Sequence, residues 1–536
     1  MAEAAAVGGW TPARSAAGGR NPWTIAVVIS IATFMEVLDT SIANVALQHI
    51  GGGLSVSYDE STWVLTSYLI ANAIVIPASG WLASVLGRKT YYMLSVAVFT
   101  LASLFCGLAP NLTVLVLARL LQGAAGGGLQ PTTQSMIVDS FPPAQRGAAF
   151  GLFGFTVILA PAVGPALGGW ITDNFSWHWI FLINVPVGIA SVLLVQALVT
   201  EPKALREEAR SLKRGGLKFD GVGFGLIGLG LATLELAADR GQRDDWFSSP
   251  FITTCAVLAV IGLGGFVAWA LARRDKALLD LTMFRNINFA VCNGVMAVTG
   301  VILYGTTQFL PQLLQQVLGY TATSAGLAMS FGGLATLFAM PMAAILSNKV
   351  QPRSLIAFAF VVEFFALINC TGLSTDLDFW DAAWARVWQA IGIPFLFLPL
   401  TTAAYVGLSP EKTNQASAML NVMRNLGGTI GISSVQALLA QRAQFHQSRL
   451  VENLSPLNPN YTGATAGAGR ALEGPLGSVG SMQAAVAQIY QNVGRQAQML
   501  SYVEVFWVLA VFVGCVFPTV FLLRKAKLGG AAEGAG

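Results

Sequence analysis

Fourteen apolar runs, each about 20 residues long, recur along nearly the whole 536-residue chain. A helix rises about 1.5 Å per residue, so such a run crosses the roughly 30 Å hydrocarbon layer of a membrane. Only 10% of the residues are charged, against about 25% in a soluble protein. The sequence therefore predicts an all-α polytopic membrane protein. The predicted spans are 23–47, 61–84, 90–109, 112–137, 147–169, 178–199, 218–238, 250–272, 288–310, 322–346, 354–373, 380–407, 413–439 and 500–523.

The distribution of basic residues supports this number of spans. With the N-terminus in the cytoplasm, 21 of the 30 Lys and Arg residues fall in cytoplasmic segments and six in outer segments. The other three, Arg119, Arg386 and Arg424, lie inside spans. Membrane proteins concentrate Lys and Arg on the cytoplasmic side, and an odd number of spans would scramble this asymmetry. We therefore predict fourteen spans with both termini cytoplasmic. The first apolar run is too long for a signal-peptide core and is predicted to be retained.

The spans divide into groups of six, two and six. We predict an N-terminal six-helix bundle over residues 1–200 and a C-terminal six-helix bundle over 287–536. Residues 201–286 form cytoplasmic linkers with two inserted helices. The stretch 440–499 is predicted to be a long outer loop within the C-terminal unit. Its composition, rich in Gly, Ala and Asn, leaves two interpretations open: a flexible tether, and a docking surface for a partner.

Two carboxylates stand inside the first span, in "ATFMEVLDTSIANVAL" (32–47). A carboxylate at mid-bilayer depth costs roughly 2.5–3.5 kcal/mol on insertion scales. Asp39 lies about 12 Å and Arg119 about 10 Å from the same outer surface, which makes them candidate partners. Their pairing suits either proton coupling or a permanent structural ion pair. Glu36 lies deeper, about 60° round the helix. It is a second proton site, an anion that attracts cationic substrates, or a neutral packing carboxyl.

Motifs in the first six spans resemble those of the major facilitator superfamily. "GWLASVLGRK" resembles its signature loop through Gly80, Gly87, Arg88 and Lys89, although Ser84 replaces the usual acidic residue. "LARLLQG" resembles the R-x-x-Q-G motif through Arg119, Gln122 and Gly123. "GFTVILAPAVGPALGGW" resembles the antiporter motif of the fifth helix, with matching residues Pro161, Gly164, Pro165, Gly168 and Gly169. These conformational motifs imply the major facilitator fold, with two six-helix halves around a midplane site.

The segments "LDTSIANVAL" and "WHWIFLINVPVGI" resemble the fourteen-helix drug:proton antiporter branch, of EmrB/QacA type. The resemblance implies proton-driven export of amphipathic or toxic compounds across a bacterial inner membrane by alternating access. The proton gradient supplies the energy without a cofactor, and Asp39, Glu36 and Arg119 are the proton-coupling candidates. It also implies a periplasmic adaptor and an outer-membrane channel as partners in a double-membraned host.

The superfamily lines its central cavity with helices that correspond to spans 1 and 4 and to spans 9 and 12. Aromatic and amide side chains on such walls suit amphipathic ligands. The candidate substrate-binding residues are Trp63, Tyr68, Asn72, Gln122, Tyr304, Gln308, Arg386, Trp388 and Gln389. Glu363 is expected on a peripheral helix, and Arg424 is expected to contact the loop around Ser84.

Other functional classes lack the residues that they require. No GxxxxGK[ST], HExxH or GxSxG motif occurs, and "GFGLIG" (223–228) lies in an apolar run with no preceding strand. The five cysteines are scattered without CxxC spacing, and the three histidines lie near or outside span boundaries, so no metal site is predicted. The basic residues follow topology, which argues against a nucleic-acid partner. The nearest alternative is a dedicated exporter of one metabolite, fatty acid or siderophore; a membrane-embedded enzyme or a scaffold is less supported.

Overall fold

A computed structural model describes residues 21–201, 206–207, 210–211, 219–347, 349–408, 412–452 and 454–524. These residues form helices and connecting turns, and they contain no strand. The predicted cytoplasmic termini (1–20 and 525–536) and most of the basic linker 202–218 lie outside the described residues.

Fourteen long helices, named α1 to α14, occur in the described residues at the positions of the fourteen apolar runs. They are α1 Pro22–Leu54, α2 Trp63–Leu86, α3 Arg88–Gly107, α4 Leu112–Ser140 (interrupted at Gly127 and Gly128), α5 Pro143–Asn174, α6 Trp179–Leu198, α7 Gly221–Arg240, α8 Pro250–Arg273, α9 Ile287–Gln312, α10 Ala322–Ser347, α11 Pro352–Cys370, α12 Phe379–Ala404, α13 Thr413–Val451 and α14 Pro459–Val516.

Twelve of the described helices are long and apolar enough to cross a membrane. The bent α5 brings the number to thirteen; its two parts, on either side of Ala162, meet at 40°. α13 falls short of this apolarity because it carries polar side chains such as Ser417 and Asn421 along its inner half. These side chains are buried against the first half of the protein. The multi-pass helical architecture is confirmed, while the count of fourteen membrane spans stays a prediction at α13.

The helices pack into two bundles joined along a shared seam. In the first, α1 packs on α5 and α6, while α2 and α3 pack on α4. In the second, α9 packs on α13, α10 and α11 pack on α12, and α14 packs on α11 and α13. The bundles meet where α5 contacts α10 and α12, and where α13 contacts α2 and α4. The inserted helices α7 and α8 pack on each other, and α7 also contacts α2 and α13.

The two bundles close on each other at the end that carries the cytoplasmic loops. Ser135 and Ser417 share a 3.0 Å hydrogen bond, and the rings of Phe150 and Tyr405 stack 5.8 Å apart. Along one face of α1, the inner residues Ala26, Ser30 and Thr33 are buried. Farther out on that face Val37 and Ser41 are half-buried and Asn44 is exposed. The conformation is therefore closed toward the cytoplasm, and the exposure of this face increases toward the outer side.

The stretch 440–499 is helical where the sequence suggested a loop. α13 continues to Val451, and α14 begins at Pro459. Gln447 donates a 3.0 Å hydrogen bond to Tyr490, so the two helices run side by side. The two interpretations of this stretch, a flexible tether and a docking surface for a partner, both stay predictions.

Close packing of α9 on α13 depends on glycines that allow backbone contact. A Cβ on Gly427 would overlap the carbonyl of Ala297 on α9, whereas a Cβ on Gly294 would meet nothing within 4 Å. We expect Gly427→Val to destabilise the fold by about 2 kcal/mol or more, because the backbones cannot separate without losing neighbouring contacts. Thermal unfolding of the detergent-solubilised protein, followed by size-exclusion chromatography, measures the loss. Gly294→Val is the matched control and should unfold like the unaltered protein; equal losses in both variants would contradict the packing argument.

Candidate functional site

A fully buried ion pair lies in the first bundle, where α1, α4 and α6 meet. Arg119 Nη1 donates to Asp39 Oδ2 at 2.5 Å, and both side chains are 0% exposed. The other carboxylate oxygen, Asp39 Oδ1, accepts from Gln122 at 3.0 Å and from Asn184 at 2.6 Å. The pairing expected from depth is confirmed. It joins three helices of one bundle, because Arg119 and Gln122 lie on α4 and Asn184 lies on α6.

The guanidinium of Arg119 is also enclosed by α2. Its Nε donates to the carbonyl of Val64 at 3.0 Å, and its Cζ lies 4.3 Å from the centre of the Tyr68 ring. This approach needs Gly123, since a Cβ there would overlap the backbone carbonyl of Tyr68. The R-x-x-Q-G motif therefore supplies a cation, an amide for the carboxylate, and the glycine that brings α2 close.

Glu36 belongs to a different polar group, which lies at the seam between the bundles. Gln130 Nε2 donates to Glu36 Oε2 at 2.8 Å, and Arg424 Nη2 donates to Gln130 Oε1 at 2.6 Å. Tyr68 donates a longer bond of 3.4 Å to Glu36 Oε1. Glu36, Gln130 and Arg424, together with Asn72, line one small polar cavity. The expectation that Arg424 contacts the Ser84 loop is wrong: its hydrogen-bond partner is Gln130, and Asn414 is the residue that reaches Ser84.

The signature loop makes contacts on both sides of the seam. A Cβ on Gly80 would lie 3.2 Å from the backbone of Asn414, and Asn414 Nδ2 donates to Ser84 Oγ at 2.9 Å. Ser84 stands where this loop usually has an acidic residue, so the contact with Asn414 is a neutral hydrogen bond. Gly87 has a φ of 89°, a conformation that favours glycine. Two further residues of the loop anchor it within the first bundle: Arg88 pairs with Asp139, and Lys89 donates to the carbonyl of Gln196 at 3.0 Å.

The small residues of α5 allow α1 to pack closely against it. A Cβ on Gly164 would lie 2.6 Å from Ser41 Cβ, and one on Gly168 would lie 3.0 Å from the Ile42 side chain. Ser41 donates to the carbonyl of Pro161 at 3.3 Å. Of the other motif residues, Pro165 and Gly169 are buried in the same helix. The motif therefore forms a bent helix against which the acid-bearing α1 packs closely.

The predicted substrate-binding residues of the first bundle divide between two environments. Tyr68, Asn72 and Gln122 are buried near the two carboxylates. Trp63 lies at the start of α2, with Arg240 Cζ 5.0 Å from its ring centre. The structure therefore brings three of these residues together with Glu36 and Asp39, and leaves Trp63 at the helix end.

The second bundle repeats part of the first. Arg386 and Gln389 on α12 have the R-x-x-Q spacing of Arg119 and Gln122, and each glutamine contacts a cysteine, Cys370 and Cys106 respectively. Arg386 donates to Thr306 and Thr307 on α9, at 3.3 Å each.

The other predicted residues of this bundle are less deeply placed. Tyr304 and Gln308 are half-buried on α9. Trp388 is 51% exposed, and it lies about 200° round α12 from Arg386. The structure does not bring it together with the buried pair. Glu363, expected to be peripheral, is 0% exposed beside Gly392.

Sequence reasoning missed two residues that complete these groups, Gln130 and Asn184. Both are amide side chains inside apolar runs, and a buried amide in a membrane helix requires a partner. That signal was present, but their partners lie far away in the sequence: Asn184 bonds a residue 145 positions away, and Gln130 one 294 positions away.

Known proteins resemble this chain along most of its length. The sequence profile of the Major Facilitator Superfamily matches residues 29–432. The chain is 36% identical over 512 residues to "Multidrug export protein EmrB" of Escherichia coli (strain K12), covering 95% of this chain and 97% of that protein. It is 37% identical over 441 residues to "Fatty acid resistance protein FarB" of Neisseria gonorrhoeae, with coverages of 82% and 85%. The crystal structure of the human organic anion transporter MFSD10 shares the fold, with a TM-score of 0.56 at 12% identity over 92% of this chain and 100% of that one.

Asn184 offers a test of the Asp39 group. We expect Asn184→Leu to lower the free energy of unfolding by about 1–3 kcal/mol, because a buried carboxylate loses a 2.6 Å hydrogen bond. Thermal unfolding in detergent measures this change. The same substitution at the exposed Asn44 is the control and should have little effect. Equal stability of the two variants would mean that Asn184 does not support the ion pair.

Proposed function

The chain belongs to the major facilitator superfamily, and we propose that it exports amphipathic toxic compounds across a bacterial inner membrane in exchange for protons. The observation that carries this proposal is the buried Asp39–Arg119 pair on the helix whose outer face is half-exposed. A carboxylate that is enclosed in one conformation and hydrated in another changes its proton affinity between them. Such a group can take a proton on one side of the membrane and release it on the other.

The geometry supports alternating access by movement of the bundles. Hydrogen bonds join α4 and α13 across the seam near the cytoplasm, and α5 packs on α10 as far out as Ala166 and Gly326. The Asp39 group, by contrast, lies entirely within the first bundle. Rocking of one bundle against the other can therefore change the hydration of α1 without dismantling the ion pair. In this proposal Asp39 and Glu36 are the proton-coupling carboxyls, and Arg119 sets the charge balance of Asp39.

Aromatic and amide groups, half-buried on α9 and buried on α2, supply the proposed substrate surface. Tyr304 and Gln308 on α9, with Asn72 on α2, offer several moderate contacts rather than one dominant one. This suits broad recognition of amphipathic molecules. We further propose that the helical extension formed by 440–499 contacts a periplasmic adaptor, which in turn reaches an outer-membrane channel.

We expect Asp39→Asn to abolish substrate-driven proton flux, because the amide cannot carry a proton between the two sides. Inverted vesicles or proteoliposomes with an internal pH dye, challenged with a panel of amphipathic cations, measure the flux. Substrate binding, followed by tryptophan fluorescence, should persist.

A folding control accompanies this variant, because Asp39→Asn leaves Arg119 buried without a counter-charge. The double variant Asp39→Asn/Arg119→Gln removes both charges and should be more stable than the single variant, yet still lack exchange. Normal flux in a well-folded double variant would overturn the role of Asp39.

A dedicated exporter is the second candidate, because one similar protein is named for fatty acid resistance. Alanine variants of Asn72, Tyr304 and Gln308, assayed with both amphipathic cations and long-chain fatty acids, separate the two. Broad recognition predicts losses of about two- to tenfold that differ from compound to compound, since no single contact dominates. Loss of one compound class from a single substitution, with no activity toward the others in the unaltered protein, would favour the dedicated exporter.

A further inference from the structure

We propose that Glu36 is a charge switch for the cytoplasmic closure, acting through Gln130 on Arg424 of the opposite bundle. The inference rests on the proposed proton exchange and gives Glu36 a task separate from that of Asp39. Ionised Glu36 holds the bundles together at their cytoplasmic end, and protonated Glu36 releases them.

Glu36, Gln130 and Arg424 form a continuous hydrogen-bond chain across the seam. Gln130 on α4 donates to Glu36 at 2.8 Å and accepts from Arg424 at 2.6 Å. Its amide therefore stands between a carboxylate of the first bundle and a guanidinium of the second. Charge at both ends strengthens each bond and polarises the amide between them. The three side chains form one unit, of which only Arg424 moves with the second bundle.

The two charged ends of this chain, Glu36 and Arg424, are buried. Arg424 is 2% exposed and Glu36 is 4% exposed. The titratable or charged groups that face Glu36 are Asp39 on its own helix, Tyr68 on α2 and Arg424 on α13. Asp39 is already paired with Arg119, so Glu36 is the carboxylate that balances Arg424. Without that negative charge, the buried guanidinium would be left in a cavity whose other described polar lining groups are the amides of Asn72, Gln130, Asn421 and Asn425, which is costly at this depth.

The Glu36–Gln130–Arg424 unit lies on the outer side of the contacts that close the cytoplasmic end. One turn farther toward the cytoplasm, Asn421 donates to Gln134 at 3.1 Å, and beyond it Ser417 and Ser135 meet at 3.0 Å. These two hydrogen bonds join the same helices, α4 and α13, that carry Gln130 and Arg424. They are neutral hydrogen bonds, each worth only about 1 kcal/mol. Among these interactions between α4 and α13, the charged unit is thus the strongest and the one that a proton can alter.

The direction of the switch is the one that an antiporter requires. In the closed conformation the outer face of α1 is the more accessible one, so protons arrive from outside. Protonation of Glu36 removes the charge that balances Arg424 and favours separation of the cytoplasmic ends. After the proton leaves to the cytoplasm, the restored attraction favours closure around an outgoing substrate. A proton thus shifts the equilibrium because it binds the two conformations with different affinity.

Spin labels at the cytoplasmic ends of α5 and α10 test the switch. Gln145 and Lys349 are exposed there, one in each bundle. Labelled cysteines at these positions, in a Cys515→Ala background, report closed and open populations by pulsed electron–electron distance measurement. The measurement uses the full chain in proteoliposomes, without substrate or gradient, from about pH 5 to about pH 9. The unaltered protein should be mainly closed at alkaline pH and increasingly open at acid pH.

Variants of the charged unit give distinct outcomes. Glu36→Gln should lower the closed-to-open ratio at alkaline pH by about tenfold and remove most of its pH dependence. Glu36→Gln/Arg424→Gln should recover the closed population without restoring the pH dependence, because no buried charge remains unbalanced. Glu363→Gln is the matched control: it removes a buried carboxyl of the second bundle outside the seam and should leave the populations unchanged.

Two results would overturn the switch: unaltered pH dependence in Glu36→Gln, or a double variant as open as Glu36→Gln. Recovery in the double variant also shows that the single variant is folded. Because the distances are measured without transport, the switch and the proposed export can fail separately. Normal switching without substrate-driven flux refutes export, and flux with an unresponsive closure refutes the switch.

Discussion

The cost of placing charge inside a membrane governs the arrangement of this protein. Three arginines and several carboxyls lie within apolar helices, and each must find a partner inside the protein. Arg119 finds Asp39 across α1 and α4, and Arg88 finds Asp139 at the cytoplasmic end of α4. These pairs fix which helices are neighbours, and the glycine-rich faces of α4 and α5 then allow the backbones to approach. Packing supplies the close fit, but charge compensation selects the neighbours.

The two acids of α1 experience this constraint differently. Asp39 meets its counter-charge inside one bundle, so relative motion of the bundles leaves the pair intact. The counter-charge of Glu36 is Arg424 of the other bundle, and Gln130 connects the two side chains. The same motion would therefore separate Glu36 from Arg424. One turn of helix therefore divides two roles, keeping one site stable while making the other sensitive to conformation. The proposed proton exchange needs both, because proton binding has to be possible in each conformation and also has to bias the choice between them.

The sequence predicted the architecture well because bilayer thickness and the positive-inside asymmetry are strong constraints. Depth along two helices was enough to pair Asp39 with Arg119, because both are measured from the same surface. The expected surroundings of Arg424 and Glu363 were wrong, because the partner of Arg424 depends on how the two bundles meet and the burial of Glu363 depends on α12. α13 shows the same limit: its polar residues weaken its hydropathy because they face the seam rather than lipid. Contacts within a bundle can be predicted from topology, whereas contacts across the seam depend on conformation.

The repeated R-x-x-Q spacing shows where the two halves diverge. Arg119 and Arg386 occupy corresponding helices, and Gln122 and Gln389 each reach a cysteine on the preceding helix. Arg119, however, faces a carboxylate on α1, while Arg386 faces the hydroxyls of Thr306 and Thr307 on α9. Parallel repeats of this kind place equivalent scaffolds on both sides of a central site. Here the first half carries the acids of α1 and the second contributes Arg424. In the proposed exchange, protonation of a carboxyl in one bundle can then act on the whole molecule, since Arg424, the cation proposed to respond to it, belongs to the other bundle.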